Sequence, residues 1–568
     1  MDSIWRNLRI AFPEKGPSYI FYLRIRFFLH MIRLLLDWFR LEKISCNWLR
    51  RRSDFSLPLG EIEGLAQSPP VVFFTGHVGN WEMANIYGEC ISMRYGVLVR
   101  EQRGFLAGML ARKREKRGFD LYYVGRNEKS MVRNGRKQAL GIVIDHGVRS
   151  GIRVKFFSKG CFFPRGVIWL IRKLKARAVA SFVVYPNQGK RYRLIIRDVS
   201  WQEDESDQEL AQRFTDELEK VVRKFPAQYL WTFKRWKFSW EVKVLVLKDG
   251  RPGHWRQSLA FVEFLRRAFS DKVVSVEEVD LSGIESNLWA RTLLTLASLS
   301  PSFLGWKLVQ MALRGKAKKV LCQYADVVVS AGSSLAGLNV FLRRLNQCRS
   351  VIIMDPGWGL RRADLIIVPY HDRLKGRRIV PIPGALCFFD KEKAEKDATC
   401  LSIPNARVSV FIGGPIKGYE FESANIGLLL EELQIQGGEI LITTSRRTPQ
   451  WVEDMVRRGN WAYSVIANEY NPKGVVEAMM ERSDRILVTA DSISMISEAL
   501  ASNKPVGVWA PILPPGKHKD FLEGLFEKKW VIPVRDIGSL RTFFMREDLG
   551  RRPKNIDLLE NIKKYIEL

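Results

Sequence analysis

The stretch VVFFTGHVGNWEMANIYG occupies residues 71–88, just after a Pro-Pro break at Pro69 and Pro70. VVFFTG is a short continuous apolar run, the mark of a buried strand. Gly76 and Gly79 bracket a turn, and WEMANIYGECI then reads as a helix. His77 therefore stands at a strand-to-helix turn, and Glu82 falls near the first helical turn. A residue at the end of a strand can point into a cleft. An imidazole there has the right pKa for a general base that takes a proton from a hydroxyl. A carboxylate on the other ring nitrogen would fix the tautomer and stabilise the imidazolium. Taken alone, a His-x4-Glu spacing also fits a capping or core histidine.

Outward from this turn, a resemblance takes shape. GHVGNWE followed by a basic region resembles the bacterial lipid A late acyltransferase family, and further pieces follow in that family's order. They are Val99-Arg100, ARKREKRGFDLYYVGRN (111–127), the stretch from Ala139 to Val184 with its Asp145 and its Phe156-Phe157 loop, and PAQYLWTFKRWK (226–237). The likeness spans roughly 45–238. It implies His77 as base and Glu82 as its orienting carboxylate. It implies Arg100 and Arg126 as contacts to phosphate groups or to the developing oxyanion, and Asp145 and Arg165 at the substrate. Asp145 reads equally as a strand-end residue in a turn with Gly147. His146, Ser158 and Arg165 depart from the family's usual Gln, Gly and small residue, which bears on the substrate more than on the chemistry. The implied acyl donor is an acyl carrier protein or acyl-coenzyme A. No cofactor and no metal are expected.

The charge is placed accordingly. The 568-residue chain carries a net charge of +30, and residues 101–200 alone hold 24 Lys and Arg against 6 Asp and Glu. Such a field attracts an anionic partner. Without a nucleic-acid-binding signature, an anionic membrane lipid or glycolipid, or an acidic carrier, fits better than nucleic acid. Residues 18–40, SYIFYLRIRFFLHMIRLLLDWFR, approach spanning length but carry Arg24, Arg26, Arg33, Asp37 and Arg40. Arg26, His30, Arg33, Asp37 and Arg40 recur at steps of four and three, so they share one face. That pattern predicts a helix lying in the membrane interface with its arginines toward headgroups; the competing reading is a helix packed on the protein's own core. The seven cysteines are scattered and lack a C-x-x-C pair, which predicts no disulfide framework and no zinc site. The expected location is the cytoplasmic face of a bacterial inner membrane, peripheral or monotopic.

Beyond residue 240 strands and helices alternate. VKVLVL (242–247), DVVVS (326–330), VIIMD (351–355) and LIIVP (365–369) form one series; VSVFIGG (408–414), EILITTS (439–445), RILVTA (485–490) and KPVGVW (504–509) form another. Alternation of this kind means parallel sheets with crossover helices. The fold class is thus α/β throughout. Residues 1–44 are an amphipathic membrane-associating segment, 45–238 an acyltransferase domain, and 241–400 and 401–568 two Rossmann-like domains in a glycosyltransferase-B arrangement. Gly250, Gly253 and His254 precede a helix whose N-terminus could hold phosphate.

DGRPGHWRQS, SAGSS, MDPGW, PYHDRLKG, IGGPIKGY, TTSRRTP, NEYNP and TADSISMISEA appear in the order of the mitochondrial fission ELM family, which this half resembles over nearly its full length. The resemblance implies a nucleotide-sugar site. Ser445, Arg446, Arg447 and Thr448 would meet the donor's phosphates. Asp491, Ser492, Ser494 and Glu498 would meet the diphosphate and nucleoside, and His371 and Asp372 would lie on the acceptor side. The expected whole is an acyltransferase acting on an envelope glycolipid, fused to a glycosyltransferase-like module. The alternative is fusion to a non-catalytic binding or regulatory scaffold.

Overall fold

The apolar run that opens residues 71–88 lies at the centre of a seven-stranded sheet. In the computed structural model the strand order is Ser53–Phe55, Tyr192–Asp198, Arg177–Val184, Val71–Thr75, Ala139–Val143, Tyr95–Val99 and Asp120–Tyr123. Only the pairing of Arg177–Val184 with Tyr192–Asp198 is antiparallel. All five residues of Val71–Thr75 are buried, as expected of a strand covered on both faces. The structure describes residues 3–91, 95–99, 112–114, 116–117, 119–126, 128–187, 190–199, 201–357, 361–421, 425–436, 439–545 and 556–566.

Two all-parallel six-stranded sheets follow. The first runs Val273–Asp280, Glu241–Lys248, Val327–Ala331, Arg349–Ile353, Leu365–Pro369, Ile379–Ile382. The second runs Tyr463–Val465, Ile440–Thr443, Ala406–Phe411, Ser483–Thr489, Val506–Trp509, Ile532–Val534. Numbered along the chain, the second has the order 3-2-1-4-5-6 of a doubly wound domain. The eight expected strands are the inner ones. Of the four outer strands, Val273–Asp280 lacks a continuous apolar run because it is covered less: its single buried residue is Val279.

Two domain boundaries change. The final helix, Ile556–Tyr565, returns from the last domain to the first Rossmann-like domain, where Leu558 and Ile562 join the core beside Phe264. Residues 1–44 are not a separate segment either. The helix Ser3–Ala11 is wedged between modules: Asn7 Nδ2 donates to the carbonyls of Trp231 and Phe233 (2.8 Å each). On the other side Trp5 Nε1 donates to the Leu345 carbonyl (2.7 Å), and the buried Arg9 donates to Leu321 O (3.0 Å) and Asn346 Oδ1 (3.1 Å).

The expected orientation of the helix Pro17–Arg40 is corrected. Its His30 and Asp37 face the protein, not headgroups. Asp37 accepts hydrogen bonds from Tyr185 Oη (2.7 Å), Tyr192 Oη (2.8 Å) and Arg191. Asn80 Nδ2 donates to it as well (3.4 Å), and a carboxylate with four donors is better satisfied there than in an apolar setting. Burial pushes the His30 imidazole down to about 4. Phe21, Tyr22, Leu29, Ile32, Leu36 and Phe39, each more than half exposed, form the outward face, flanked by the exposed Arg26, Arg33 and Arg40. Among the described residues no helix is long and apolar enough to cross a membrane.

The expectation of unpaired cysteines is also corrected: Cys46 and Cys90 form a disulfide. They lie on the helices Cys46–Arg51 and Trp81–Ile91, which pack together although 44 residues separate the cysteines. Among the described residues no cluster of His, Cys, Asp and Glu could hold a metal ion.

One buried carboxylate ties the modules together. Asp326 receives Lys159 Nζ from the acyltransferase domain, Arg6 Nη2 (3.3 Å) from the first helix, and Tyr324 Oη (3.1 Å) and the Lys243 amide (2.9 Å) from the Rossmann-like domain. Burial alone would raise its pKa; Lys159 and Arg6 hold it below the usual carboxylate range. Removing one partner of a buried pair strands the other charge and costs about 3–5 kcal/mol. Asp326→Ala is therefore expected to lower the first thermal unfolding transition markedly, as read by calorimetry. An unchanged transition would show that the knot does not hold the modules.

Candidate functional site

The turn carrying His77 is clamped by backbone. The Leu230 amide donates to His77 O (2.9 Å), the Gly79 amide to Gln228 O (2.9 Å), and the Asn80 amide to Val183 O (2.7 Å). Gly79 has φ +65°, and a Cβ there would lie 2.0 Å from the Val183 carbonyl oxygen. Only glycine fits. Asn80 then starts the helix Trp81–Ile91: its Oδ1 accepts from the Met83 amide (3.2 Å), and its Nδ2 donates to Tyr185 Oη (3.0 Å). The segment 226–231 thus holds the turn in place from below.

The ring of His77 is held by Asp145, not by Glu82. Nδ1 lies 2.7 Å from Asp145 Oδ1, and the His77 amide donates to Asp145 Oδ2 (2.9 Å). The reason is topological. Val71–Thr75 and Ala139–Val143 are neighbouring parallel strands, so the residues just past their ends lie side by side. Glu82, on the helix beyond the turn, is instead gripped by Arg114, whose Nε donates to Oε2 (3.0 Å) and whose Nη2 donates to Oε1. Burial alone would lower the pKa of His77. The charge and hydrogen bond of Asp145, helped by Glu82, outweigh burial and opposing Arg114, so it stands above its ordinary value. Burial would raise Asp145; His77 and His146 hold it well below the usual carboxylate range.

His77 lines a cavity of about 580 Å³ with Glu82, Arg114, Arg126 and His146. Its other walls are mostly apolar, among them Phe73, Val97, Leu121 and Ile142, and Met31 and Trp38 come from the helix Pro17–Arg40. The volume is that of a small-ligand pocket. Of the residues expected here, Arg126 is on the cavity wall. Arg165 begins the helix Arg165–Leu174, is exposed, and does not line the cavity. Arg100 lies outside the described residues. Arg114 was legible only as one residue of the basic run 111–117; its grip on Glu82 needs the fold.

The C-terminal half has its own cluster. In open parallel sheets ligands bind past the strand ends where the strand order reverses. In the first Rossmann-like sheet that point lies between Glu241–Lys248 and Val327–Ala331. There His254 Nδ1 lies 2.8 Å from Asp249 Oδ2, and Ser334 Oγ donates to the same oxygen (2.8 Å). Gly332, at φ +74°, makes room: a Cβ would lie 2.6 Å from the His254 ring.

In the second sheet the equivalent point joins Gly413-Gly414 to Asp491. Buried Asp491 accepts from the Gly414 amide (2.9 Å) and Thr489 Oγ1 (2.7 Å), and Arg447 Nη2 reaches it at 3.4 Å. Thr448 Oγ1 accepts from the Ser445 amide (2.8 Å) and donates to Gly413 O (2.5 Å). Asp491 and Thr448 thus brace the loops, while Arg446 and Arg447 are exposed. Ser492 caps the helix Ile493–Ala501, and Ser494 is exposed. Burial, with Glu477 nearby, pushes Glu498 up to about 7 against Arg256 of the facing domain. His371 packs on Phe521 across the cleft (5.6 Å between ring centroids), with Asp372 Oδ1 3.7 Å from its Nε2.

Residues 252–549 match the family model of mitochondrial fission ELM1. The chain belongs to that family. Residues 2–238 match the bacterial lipid A biosynthesis acyltransferase model, so this ELM1-family chain joins an acyltransferase domain to its ELM1 module. An uncharacterized Rickettsia prowazekii (strain Madrid E) protein, RP120, is 29% identical over 254 residues, covering 36% of this chain and 70% of that protein. The mitochondrial fission protein ELM1 of Arabidopsis thaliana is 26% identical over 259 residues, covering 39% of this chain and 58% of the plant protein. Among solved structures, Acinetobacter baumannii MurG aligns with TM-score 0.33 at 14% identity over 57% of this chain and 99% of that one. The Methanocaldococcus jannaschii UDP-GlcNAc 2-epimerase aligns with TM-score 0.33 at 11% identity over 58% and 99%.

The dyad makes a direct prediction. Asp145→Asn removes the main charge that favours the imidazolium, leaving Glu82 alone against burial and Arg114. The His77 pKa is then expected to fall from above 6.5 to below it. Histidine-selective NMR titration of the six-histidine chain reads this; an unmoved pKa would show that Asp145 does not set it.

Proposed function

We propose that the N-terminal module moves a fatty acyl chain from a thioester to a hydroxyl of a membrane glycolipid, at the cytoplasmic face of a bacterial inner membrane. The observation that carries this is His77, held by Asp145, in the wall of a cavity that also takes Met31 and Trp38 from a helix with an outward apolar face. The acceptor's proton passes to Nε2 of His77 while its oxygen attacks the thioester carbonyl. The imidazolium is held by Asp145 and returns the proton to the departing thiolate. Arg114 and Arg126, on the same cavity wall, are placed to meet the oxyanion or a phosphate group of the acceptor. The basic surface suits both donors, an acyl carrier protein and acyl-coenzyme A, since both are anionic.

His77→Ala is expected to fold normally and to lose acyl transfer by about 10²-fold or more, read as the one-chain mass gain of the acceptor lipid. Retained transfer would sink the assignment. The base must be neutral, and its pKa is raised. Activity is therefore lost as pH falls below that pKa, and kcat/KM should climb to a plateau through an apparent pKa above 6.5.

For the C-terminal module the favoured reading is a nucleotide-sugar site between the two Rossmann-like domains, supported by Glu498 of one domain lying near Arg256 of the other. The same lipid would be its acceptor, with the His254–Asp249 pair on the acceptor side. Titration of the full chain with a panel of nucleotide sugars tests this. The expected result is saturable binding of at least one, weakened about tenfold in Arg447→Ala. Binding of none would favour a scaffold.

A further inference from the structure

The helix Pro17–Arg40 is not alone in presenting apolar side chains outward. In the first Rossmann-like domain the helices Leu288–Leu299 and Ser302–Leu313 form a hairpin. Its inner side is ordinary core: Leu293, Leu294 and Ala297 are buried. Its outer side is apolar as well. Leu288 and Trp289 are 75% and 69% exposed, and Leu299, Phe303 and Met311 are each more than half exposed. A helix apolar on both sides normally sits in a core. A soluble protein rarely leaves such a patch uncovered.

Charge and position say what covers it. Residues 288–319 hold no Asp or Glu. Lys307 stands among the exposed apolar residues, and exposed Arg314, Lys316, Lys318 and Lys319 follow directly on the hairpin. The hairpin also adjoins the other apolar face. Ser302–Leu313 packs against Pro17–Arg40, and the Trp306 ring lies 3.8 Å from the Cβ position of Gly16 at the start of that helix. An apolar face whose charged residues over 288–319 are all cations matches a bilayer interface with anionic headgroups. Lysine and arginine stems lie along such a face with their heads in the headgroup layer.

We infer that the hairpin 288–313 is a second bilayer-contacting element, which together with Pro17–Arg40 seats both modules on one anionic membrane surface. This rests on the membrane reading of Pro17–Arg40 given above and extends it to the C-terminal module. The consequence is that the cleft between the Rossmann-like domains is held at a fixed height over the same lipid patch as the His77 cavity.

The test is flotation of the full chain with vesicles of phosphatidylcholine alone and of phosphatidylcholine with 30% phosphatidylglycerol. It compares wild type, a hairpin variant (Leu288→Ser, Trp289→Ser, Phe303→Ser) and a helix variant (Phe21→Ser, Leu29→Ser, Phe39→Ser). All six positions are exposed, and matching unfolding temperatures confirm folding. The expected result is strong binding of wild type to the anionic vesicles only. The hairpin variant should bind them at least ~10-fold more weakly, yet acylate a detergent-dispersed acceptor at the wild-type rate. A hairpin variant that floats like wild type overturns the inference while leaving the helix reading intact. Wild type that floats on neither vesicle overturns both membrane readings, and the detergent assay then still reports on acyl transfer alone. Equal flotation with a change of oligomeric state in the hairpin variant would assign the patch to a protein interface and overturn the inference too.

Discussion

A single buried carboxylate, Asp326, sets the relation between the two halves of this chain. It collects a lysine from the acyltransferase domain, an arginine from the first helix, and a hydroxyl and an amide from the Rossmann-like domain. Buried ion pairs are poor sources of net stability, because desolvation offsets much of the attraction. Their geometry is demanding, however, and a misplaced partner is penalised heavily. Asp326 therefore acts chiefly on orientation: a sliding of one module against the other would strand Lys159 in a dry interior and cost Arg6 its partner. The wedge helix Ser3–Ala11 adds the same constraint through Arg9 and Asn7. The fusion is a docked body in this structure, not two domains on a flexible tether.

What the amino-acid sequence disclosed follows burial. Inner parallel strands are apolar along their whole length, so 71–75, 327–331 and 365–369 were legible as strands. Edge strands such as Val273–Asp280 mix exposed and half-buried positions and were not. His77 was legible because a strand, a glycine-bracketed turn and a helix are local signals. Its partner was not, because Asp145 is 68 residues away and reaches it only through the adjacency of two strand ends. Glu82 was the nearest carboxylate in sequence, and spacing along a chain is a weak guide to which carboxylate turns toward a ring. The Cys46–Cys90 pair escaped for the same reason. The helix Pro17–Arg40 is legible as amphipathic, and its apolar face and Arg26, Arg33 and Arg40 do point outward; only His30 and Asp37 turn inward. Periodicity shows that two faces differ; it does not show that Asp37 finds four donors inside the protein.

The same device occurs twice. His77–Asp145 and His254–Asp249 each set an imidazole Nδ1 against a carboxylate just past the end of a parallel strand. Parallel sheets place all their strand ends on one edge, so polar groups gather there while the strands themselves stay apolar. The two pairs differ in setting. Asp145 holds His77 through both ring and amide. Asp249 is shared among His254, Ser334 and the Arg251 amide.

The cavity and the outward apolar helix are mechanically one feature. Met31 and Trp38 wall the cavity from the inner side of Pro17–Arg40, while Ile32, Leu36 and Phe39 face outward from the same turns. Asp37 lies between these sets and fastens the helix through Tyr185, Tyr192 and Arg191. Tyr185 in turn accepts from Asn80, the residue that starts the helix after the His77 turn. A chain of hydrogen bonds thus runs from the outward-facing helix to the His77 turn. Any force that tilts Pro17–Arg40 against the domain must break the Asp37 contacts or carry the His77 turn with it. The depth of the cavity below the apolar face is thereby fixed by a buried polar network, which tolerates less slack than apolar packing alone.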